Sequence, residues 1–404
     1  MATTKHTDDP LASTVYESPR FYVAFLGLGL GSWVMSDFVF AEVAALVQHT
    51  PEGPAIGVYV IAALQSANVF PMLYMLFNSS QQRVSIPTMI WLLLAFGVMA
   101  CLLLATTWHM TSSLFGEPRS SALLFFVFCG GIVSATSSVV FYPFVSMYPA
   151  ISTSALATGE SLGAVIAGFL ALAQDVGSPE MYFSIGSYFA CAAVVFVVSM
   201  AAFGYLRTHG RPAPELSNER AWLLDPTQSY TCQEDWHVVR VIGKPLACQF
   251  ALACFSFAVV PSVLPIVGSK YMHSGVVLKW ASVLGMLCDP LARFLTTFYH
   301  ARRVGLLTLL ALATGLCMAI QASSRVPLWS HTSNGGIVVV LLHCTYMSLA
   351  GYTQTCLYQV LQEMNVENVK VAYQWSGFVT QMGALSGTVV TFGLVAFTNV
   401  FSTA

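Results

Sequence analysis

The sequence predicts an all-α polytopic membrane protein, with about eleven transmembrane helices in a 6+5 two-bundle arrangement. Three observations predict it. Of 404 residues, 56% are hydrophobic and 8% charged, and the mean hydropathy is +0.71. Soluble domains carry roughly 25% charged residues, so no soluble fold of this length hides so much apolar surface. Apolar runs near the ~20 residues that cross a bilayer recur along the chain. One long polar break, "RTHGRPAPELSNERAWLLDPTQSYTCQEDWHVVRVIGK", divides six such runs from five.

The runs lie near 21–46, 55–77, 87–107, 122–148, 152–174 and 181–206, then 245–267, 277–299, 303–321, 336–361 and 371–397. The fourth and fifth are parted only by "YPAI", where Pro149 breaks the helix and predicts a tight helical hairpin. The domain plan is a tail (1–20), a six-helix bundle (21–206), a loop (207–244), a five-helix bundle (245–397) and a second tail (398–404). A cleft between two such bundles is a transporter plan, although no sequence repeat relates the halves.

The Lys/Arg bias of the loops sets the orientation. With the N-terminus in the cytoplasm, eleven basic residues fall inside (Lys5, Arg20, Arg83, Arg207, Arg211, Arg220, Arg240, Lys244, Arg302, Arg303, Lys370) and four outside (Arg119, Lys270, Lys279, Arg325). An odd span count then places the C-terminus outside the cell. The sequon Asn78-Ser79-Ser80 falls on the cytoplasmic side and is expected to go unused. The polar, acidic N-terminus has neither a secretory nor a transit pattern, so the first span is expected to act as an uncleaved anchor.

Several function classes are excluded. No Lys/Arg-rich patch suggests a nucleic-acid partner. The ten cysteines form no CxxC pair and no Cys/His ligand spacing, so no metal, cofactor or disulfide framework is expected. No HExxH, GxSxG or phosphate-binding loop occurs, so no catalytic centre is expected. "GLGLGS" (27–32) lies inside a span with no strand before it, and reads as small residues for helix contact.

Ionisable residues within spans are costly, and each is a functional hypothesis by default. Here they are Asp37, Glu42, Glu160, Asp289 and Arg293. Asp37 shares a helix face with Trp33 and Phe40, an acid flanked by aromatics that suits a flat, hydrogen-bonding solute. The alternative for Asp37 is a structural pairing. Glu42 lies about 140° further round the helix, on another surface and near the solvated outer end of its span. Asp289 and Arg293 are four apart, acid first, the better order for an intrahelical pair. They read either as a gating or coupling pair or as mutual neutralisation. Glu160 lies in "TGESLGA", where glycines explain close packing but not the acid. Amides recur at Gln65, Asn68, Gln354, Gln359, Gln374 and Gln381, each a ligand contact or an interhelical bond.

Several stretches together resemble the eukaryotic riboflavin transporter family (solute carrier family 52-like). They are "GSWV" before an acid-bearing helix, "PEG" (51–53), "ANVFPMLY" (67–74), "TSSVVFYPFVSMYP" (136–149) and "GESLGAVIAGFLALAQ" (159–174). The second half adds "LPIVGSKY" (264–271), "DPLARF" (289–294), "GYTQT" (351–355) and "QMGALSGTVVTFGLV" (381–395). The resemblance covers nearly all spans in order, but not the central and terminal loops. It implies eleven spans with a cytoplasmic N-terminus, in a plan like the major-facilitator and equilibrative nucleoside transporters. It also implies sodium-independent carriage of riboflavin across the plasma membrane. The family usually has Asn at the places of Asp37, Ser138 and Asp289, and keeps Glu42, Asn68, Pro143, Glu160 and Gln381. An ionised acid accepts hydrogen bonds but cannot donate, so the substitutions bear on substrate and proton coupling.

A flavin has a flat ring with a donor and acceptor edge and a hydroxyl-rich tail, which aromatic faces and polar side chains can read. The expected substrate contacts are Trp33, Asp37, Asn68, Ser138, Phe141, Glu160, Tyr352 and Gln381, with Tyr142, Tyr271 and Tyr346 as further aromatics. The expected gating or coupling residues are Glu42, Asp289 and Arg293. The rival readings are a carrier of a nucleoside or another flat vitamin, and a flavin-binding receptor or sensor without transport.

Overall fold

The computed structural model describes residues 19–53, 56–79, 84–114, 117–176, 180–210, 232–272, 274–332, 334–364 and 369–397. Residues 1–18 and 398–404, most of the central loop and Ser80 of the sequon lie outside the described residues. The chain starts with α1 (Pro19–Leu30) and α2 (Val34–His49), bent by 58° at Gly31-Ser32-Trp33. Next come α3 (Ile56–Ser66), α4 (Val69–Ser79) and α5 (Ile86–Thr107). The first half closes with α6 (Ser121–Val145), α7 (Ala150–Gln174) and α8 (Ile185–His209). The second half holds α9 (Cys232–Val241), α10 (Gly243–Cys254), a π turn (Phe255–Val259), α11 (Val260–Ser269), α12 (Ser274–Leu295), α13 (Val304–Ser323), α14 (Ile337–Glu363) and α15 (Val369–Phe397).

Every apolar run read from the sequence falls on one of these helices or on a broken pair. By length and composition, eight helical spans among the described residues can cross a membrane, or nine with the bent α1–α2 pair. α12 and α15, 22 and 29 residues long, lie outside that set. Two elements were not expected. A small antiparallel pair, β1 (Ser112–Leu114) and β2 (Glu117–Arg119), precedes α6, with Ser112 opposite Arg119. The short α9 begins inside the predicted central loop.

Local chemistry explains where helices meet and break. A Cβ on Gly29 would overlap the Leu156 carbonyl, and one on Gly159 the Leu26 carbonyl, so these glycines let α1 and α7 pack backbone to backbone. "GLGLGS" is thus a packing surface. Pro261 has no N–H for the carbonyl of Phe257, and the chain makes its π turn there. That turn brings Ser256, Phe257 and Ala258 to the central cavity. Pro149 begins α7 four residues after α6 ends, as the hairpin reading expected. The "PEG" turn is anchored by Glu52, whose two carboxylate oxygens accept from the backbone N–H and the hydroxyl of Ser120, both at 2.7 Å. Gly53 within it has φ +54°, a left-handed conformation that suits glycine.

The two halves meet chiefly through α6 on α15 and α7 on α12. One apolar core fills the first half and runs into the second through Leu246, Tyr358, Leu361 and Tyr373, and a smaller core lies within the second half.

Candidate functional site

A cavity of about 550 Å³ lies between the halves. From the first half it is lined by the α1–α2 break and by α2, α3, α6 and α7. From the second half it is lined by α10, the π turn, α11, α12, α14 and α15. Helices α5, α8 and α13 supply no lining residue. Of the sequence-predicted residues, Trp33, Asp37, Asn68, Ser138, Glu160, Gln381, Asp289 and Arg293 all reach this one surface, along with Gln65, Gln354 and Tyr142.

Charge and amide groups form linked sets. Arg293 Nε donates to both carboxylate oxygens of Asp289 at 3.1 Å, and Arg293 Nη2 donates to Gln354 Oε1 at 3.0 Å. The predicted intrahelical pair therefore forms, and Gln354 extends it from α12 to α14. Gly351 leaves the room, since a Cβ there would overlap Asp289 Oδ1. On the facing wall, the Tyr142 hydroxyl donates to Glu160 Oε2 at 2.6 Å. Gln381 Nε2 donates to Ser138 Oγ at 2.9 Å, tying α15 to α6. Asn68 Nδ2 donates to Gln65 Oε1 at 2.6 Å. Asp37 lies against α7, where a Cβ on Gly163 would sit 2.9 Å from its Oδ2. Among the described residues, Asp37 Oδ2, Glu160 Oε1, Gln249 Oε1 and Gln354 Nε2 are buried atoms without a hydrogen-bond partner. Buried polar atoms are normally paired, and these four belong to side chains of the cavity wall.

Two stacked aromatic pairs bridge the halves. Trp33 lies on Phe257 with ring centroids 5.3 Å apart and planes 11° apart. Tyr142 lies on Tyr358 at 3.7 Å and 8°, with Tyr373 edge-on to Tyr358 at 5.3 Å. The tyrosine pair leaves no gap for a ring, so it seals one end of the cavity. Beyond it the halves are stitched together. Ser154 Oγ is 2.7 Å from Thr296 Oγ1 and donates to Arg293 O at 3.1 Å. Gln359 Nε2 donates to the carbonyls of Thr296 and Ala150, at 3.3 and 3.5 Å, and Gln362 Nε2 donates to Tyr148 O. Away from that stack, the lining residues Phe40 (49% exposed) and Ile61 (40%) reach the protein surface.

Five expectations are corrected. Glu42 is not solvated: it is fully buried, and its Oε1 accepts from Gln174 Nε2 at 3.0 Å, the same amide that donates to Phe183 O at 3.1 Å. Helix α2 runs two turns past it to His49, and the Gln174 contact ties α2 to α7. Phe141 does not line the cavity: it is fully buried in the first half's core, one residue and about 100° round from Tyr142. Tyr352 faces away and donates to Tyr299 O at 2.9 Å. Tyr346 and Tyr271 are likewise engaged elsewhere, with Ser256 Oγ and with Leu328 O. The sequence reading passed over Gln249, Thr380, Phe257 and Tyr358. Gln249 carried a usable signal, a lone amide inside an apolar span. No group of three His, Cys, Asp or Glu that could hold a metal occurs among the described residues.

Comparison with known proteins adds to this geometry. The model of "Solute carrier family 52, riboflavin transporter" matches residues 20–182 and 178–403. Solute carrier family 52, riboflavin transporter, member 3-A of Danio rerio is 28% identical, over 92% of this chain and 95% of that protein. Member 3 of Homo sapiens is 24% identical over 93% and 96%, and riboflavin transporter rft-1 of Caenorhabditis elegans is 25% identical over 93% and 96%. Among solved structures, the major facilitator superfamily transporter FucP in the outward conformation superposes with a TM-score of 0.62 at 15% identity, covering 95% of this chain and 92% of FucP. The proton:xylose symporter XylE gives 0.63 at 12% identity, over 96% and 92%. These two likenesses establish the major-facilitator fold.

Proposed function

The chain belongs to solute carrier family 52, the riboflavin transporters, and from that premise we propose that it carries riboflavin across the plasma membrane by alternating access. One observation carries the reading most directly. The interface between the halves holds a cavity of about 550 Å³, lined by aromatic and polar side chains and closed on one side by the Tyr142–Tyr358 stack. Cavities of roughly 300–1,000 Å³ with a few placed polar groups are typical of small-molecule sites. Transport needs such a site to open to each side in turn.

In this reading the chain has eleven spans in a 6+5 arrangement, with the N-terminus cytoplasmic and the C-terminus extracellular. The sealed tyrosine end faces the cytoplasm, and the structure is outward-facing. Trp33, Asp37, Asn68, Ser138, Glu160 and Gln381 contact the solute. Tyr142 and Tyr358 form the inner gate. The Asp289–Arg293 pair, which touches both the cavity and α14, couples occupancy to that gate. Glu42 braces the first bundle. Carriage is independent of sodium, and Asp37 and Glu160 are the groups that would hold a cotransported proton.

The test is uptake of labelled riboflavin by cells expressing this chain, at acidic and neutral pH, beside Asp37→Asn. Saturable uptake, competed by unlabelled riboflavin, is the expected outcome. Asp37→Asn should retain uptake and flatten its pH dependence. No uptake above background by protein shown to be at the cell surface would overturn the reading. Competition by nucleosides but not riboflavin would instead favour a nucleoside carrier, and flavin binding without flux a receptor.

A further inference from the structure

The second half's cavity wall carries two buried amides, each held at one end by a neighbouring side chain. Gln249 of α10 is 2% exposed, and its Nε2 donates to Thr380 Oγ1 at 2.9 Å. The Thr380 hydroxyl hydrogen is already given to the carbonyl of Ser376, at 2.9 Å. With that hydrogen given to Ser376, the threonine oxygen accepts from the amide, and Nε2 faces Thr380. That leaves Gln249 Oε1 as a buried acceptor without a partner among the described residues. Gln354 of α14, 6% exposed, is fixed in the opposite sense. Its Oε1 accepts from Arg293 Nη2 at 3.0 Å, and a guanidinium has no acceptor to offer, so this amide cannot turn over either. Gln354 Nε2 is left as a buried donor without a partner. Both side chains line the same cavity. The wall thus presents one acceptor, set by the Thr380 contact, and one donor, locked by Arg293.

A solute's hydroxyl groups gain little from that arrangement, because a hydroxyl can turn to donate or accept. The groups it discriminates are those of fixed polarity. The isoalloxazine ring has one such edge, an imide N–H flanked by two carbonyls. We propose that Gln249 is a specificity-determining residue that accepts the imide N–H of the flavin ring, while Gln354 donates to one of its carbonyls. The inference rests on the riboflavin reading above and deepens it. Gln249 sets which flat ring is accepted. Thr380 is a positioning residue, acting only by holding the amide the right way round.

The experiment is competition binding on the purified full-length chain, read by flavin fluorescence, with riboflavin and 3-methylriboflavin as the two ligands. Methylation removes the imide hydrogen and leaves the rest of the ring and tail intact. Wild type should bind the methylated ligand roughly tenfold to a hundredfold more weakly, the range for stranding a buried polar group. Gln249→Met, close in shape but without the acceptor, should lose affinity for riboflavin and bind the two ligands within about threefold of each other. Thr380→Val leaves the acceptor in place but frees the amide to turn, so its preference should fall between the two. A preference unchanged in both variants, or a wild type that binds both ligands equally, would overturn the inference while leaving riboflavin transport standing. Discrimination by purified protein together with absent uptake in cells would overturn the transport reading and support this one.

Discussion

At the scale of single residues, the cavity shows which buried charges are balanced and which are exposed to whatever enters. Arg293 is bound by Asp289 and Gln354 together, and its side chain is 12% exposed. Removing one member of a buried pair costs about 3–5 kcal/mol, because the survivor is left uncompensated, whereas apolar replacement of both is often neutral. Asp289→Ala should therefore lower the thermal stability of the purified protein more than the double change Asp289→Leu with Arg293→Met does. The double variant should still fail in uptake, since it also removes the link from α12 to Gln354. Equal destabilisation by the single and double variants would show that the pair does not act as a unit. Asp37 is a different case, because its Oδ2 has no partner among the described residues and its neighbour is the bare Gly163. An asparagine has nearly the same shape, so Asp37→Asn should fold normally and alter only how the site handles protons and donors.

At the scale of elements, the close contacts of α1 and α7 depend on two glycines that face each other's backbone carbonyls. Gly159→Leu would force the helices apart and should remove most of the folded protein from the membrane, as read by surface labelling and size-exclusion profile. Gly305→Ala on α13, where nothing lies within 4 Å of the added methyl, should be tolerated. Loss at both positions alike would mean that the close approach of α1 and α7 does not explain the first case. The same elements show how far a sequence can be read. Span positions were legible because a bilayer imposes length and apolarity whatever the tertiary contacts. The acids and amides were legible because an ionisable or amide group inside a span stands out. Which aromatic faces the cavity was not legible. Helix α6 is apolar on all sides, with 72% of its span window buried, so periodicity gave no reason to prefer Tyr142 over Phe141. Tyr352 and Tyr358 posed the same problem on α14, and only the packing of α14 on α7 and α12 decides between them. Glu42 was misjudged for a related reason. Its distance along the span was readable, but its burial against Gln174, 132 residues further on, was not.

At the scale of the whole molecule, the structure is asymmetric along the cavity axis, and the asymmetry predicts a state. One end is closed by the Tyr142–Tyr358 stack and, behind it, by hydroxyl and amide links from α7 to the end of α12 and from the 148–150 turn to α14. The other end exposes its lining. Neutral hydrogen bonds contribute about 0.5–1.5 kcal/mol each, so a handful of them can hold one state and still be exchanged for others during a transport cycle. Alternating access requires the Ser154–Thr296 contact to part, because α7 belongs to one bundle and α12 to the other. Their side-chain oxygens, 2.7 Å apart, are near enough for cysteines at the two places to be joined. Ser154→Cys with Thr296→Cys, oxidised in cells, should abolish riboflavin uptake and regain it on reduction, while each single variant is unaffected by oxidant. Flavin binding from outside should survive the cross-link, because the opposite mouth stays open. Full uptake by the cross-linked chain, with the bond verified by mass spectrometry, would mean that the halves do not separate here, and the gate would have to be sought elsewhere along the α6–α15 contact.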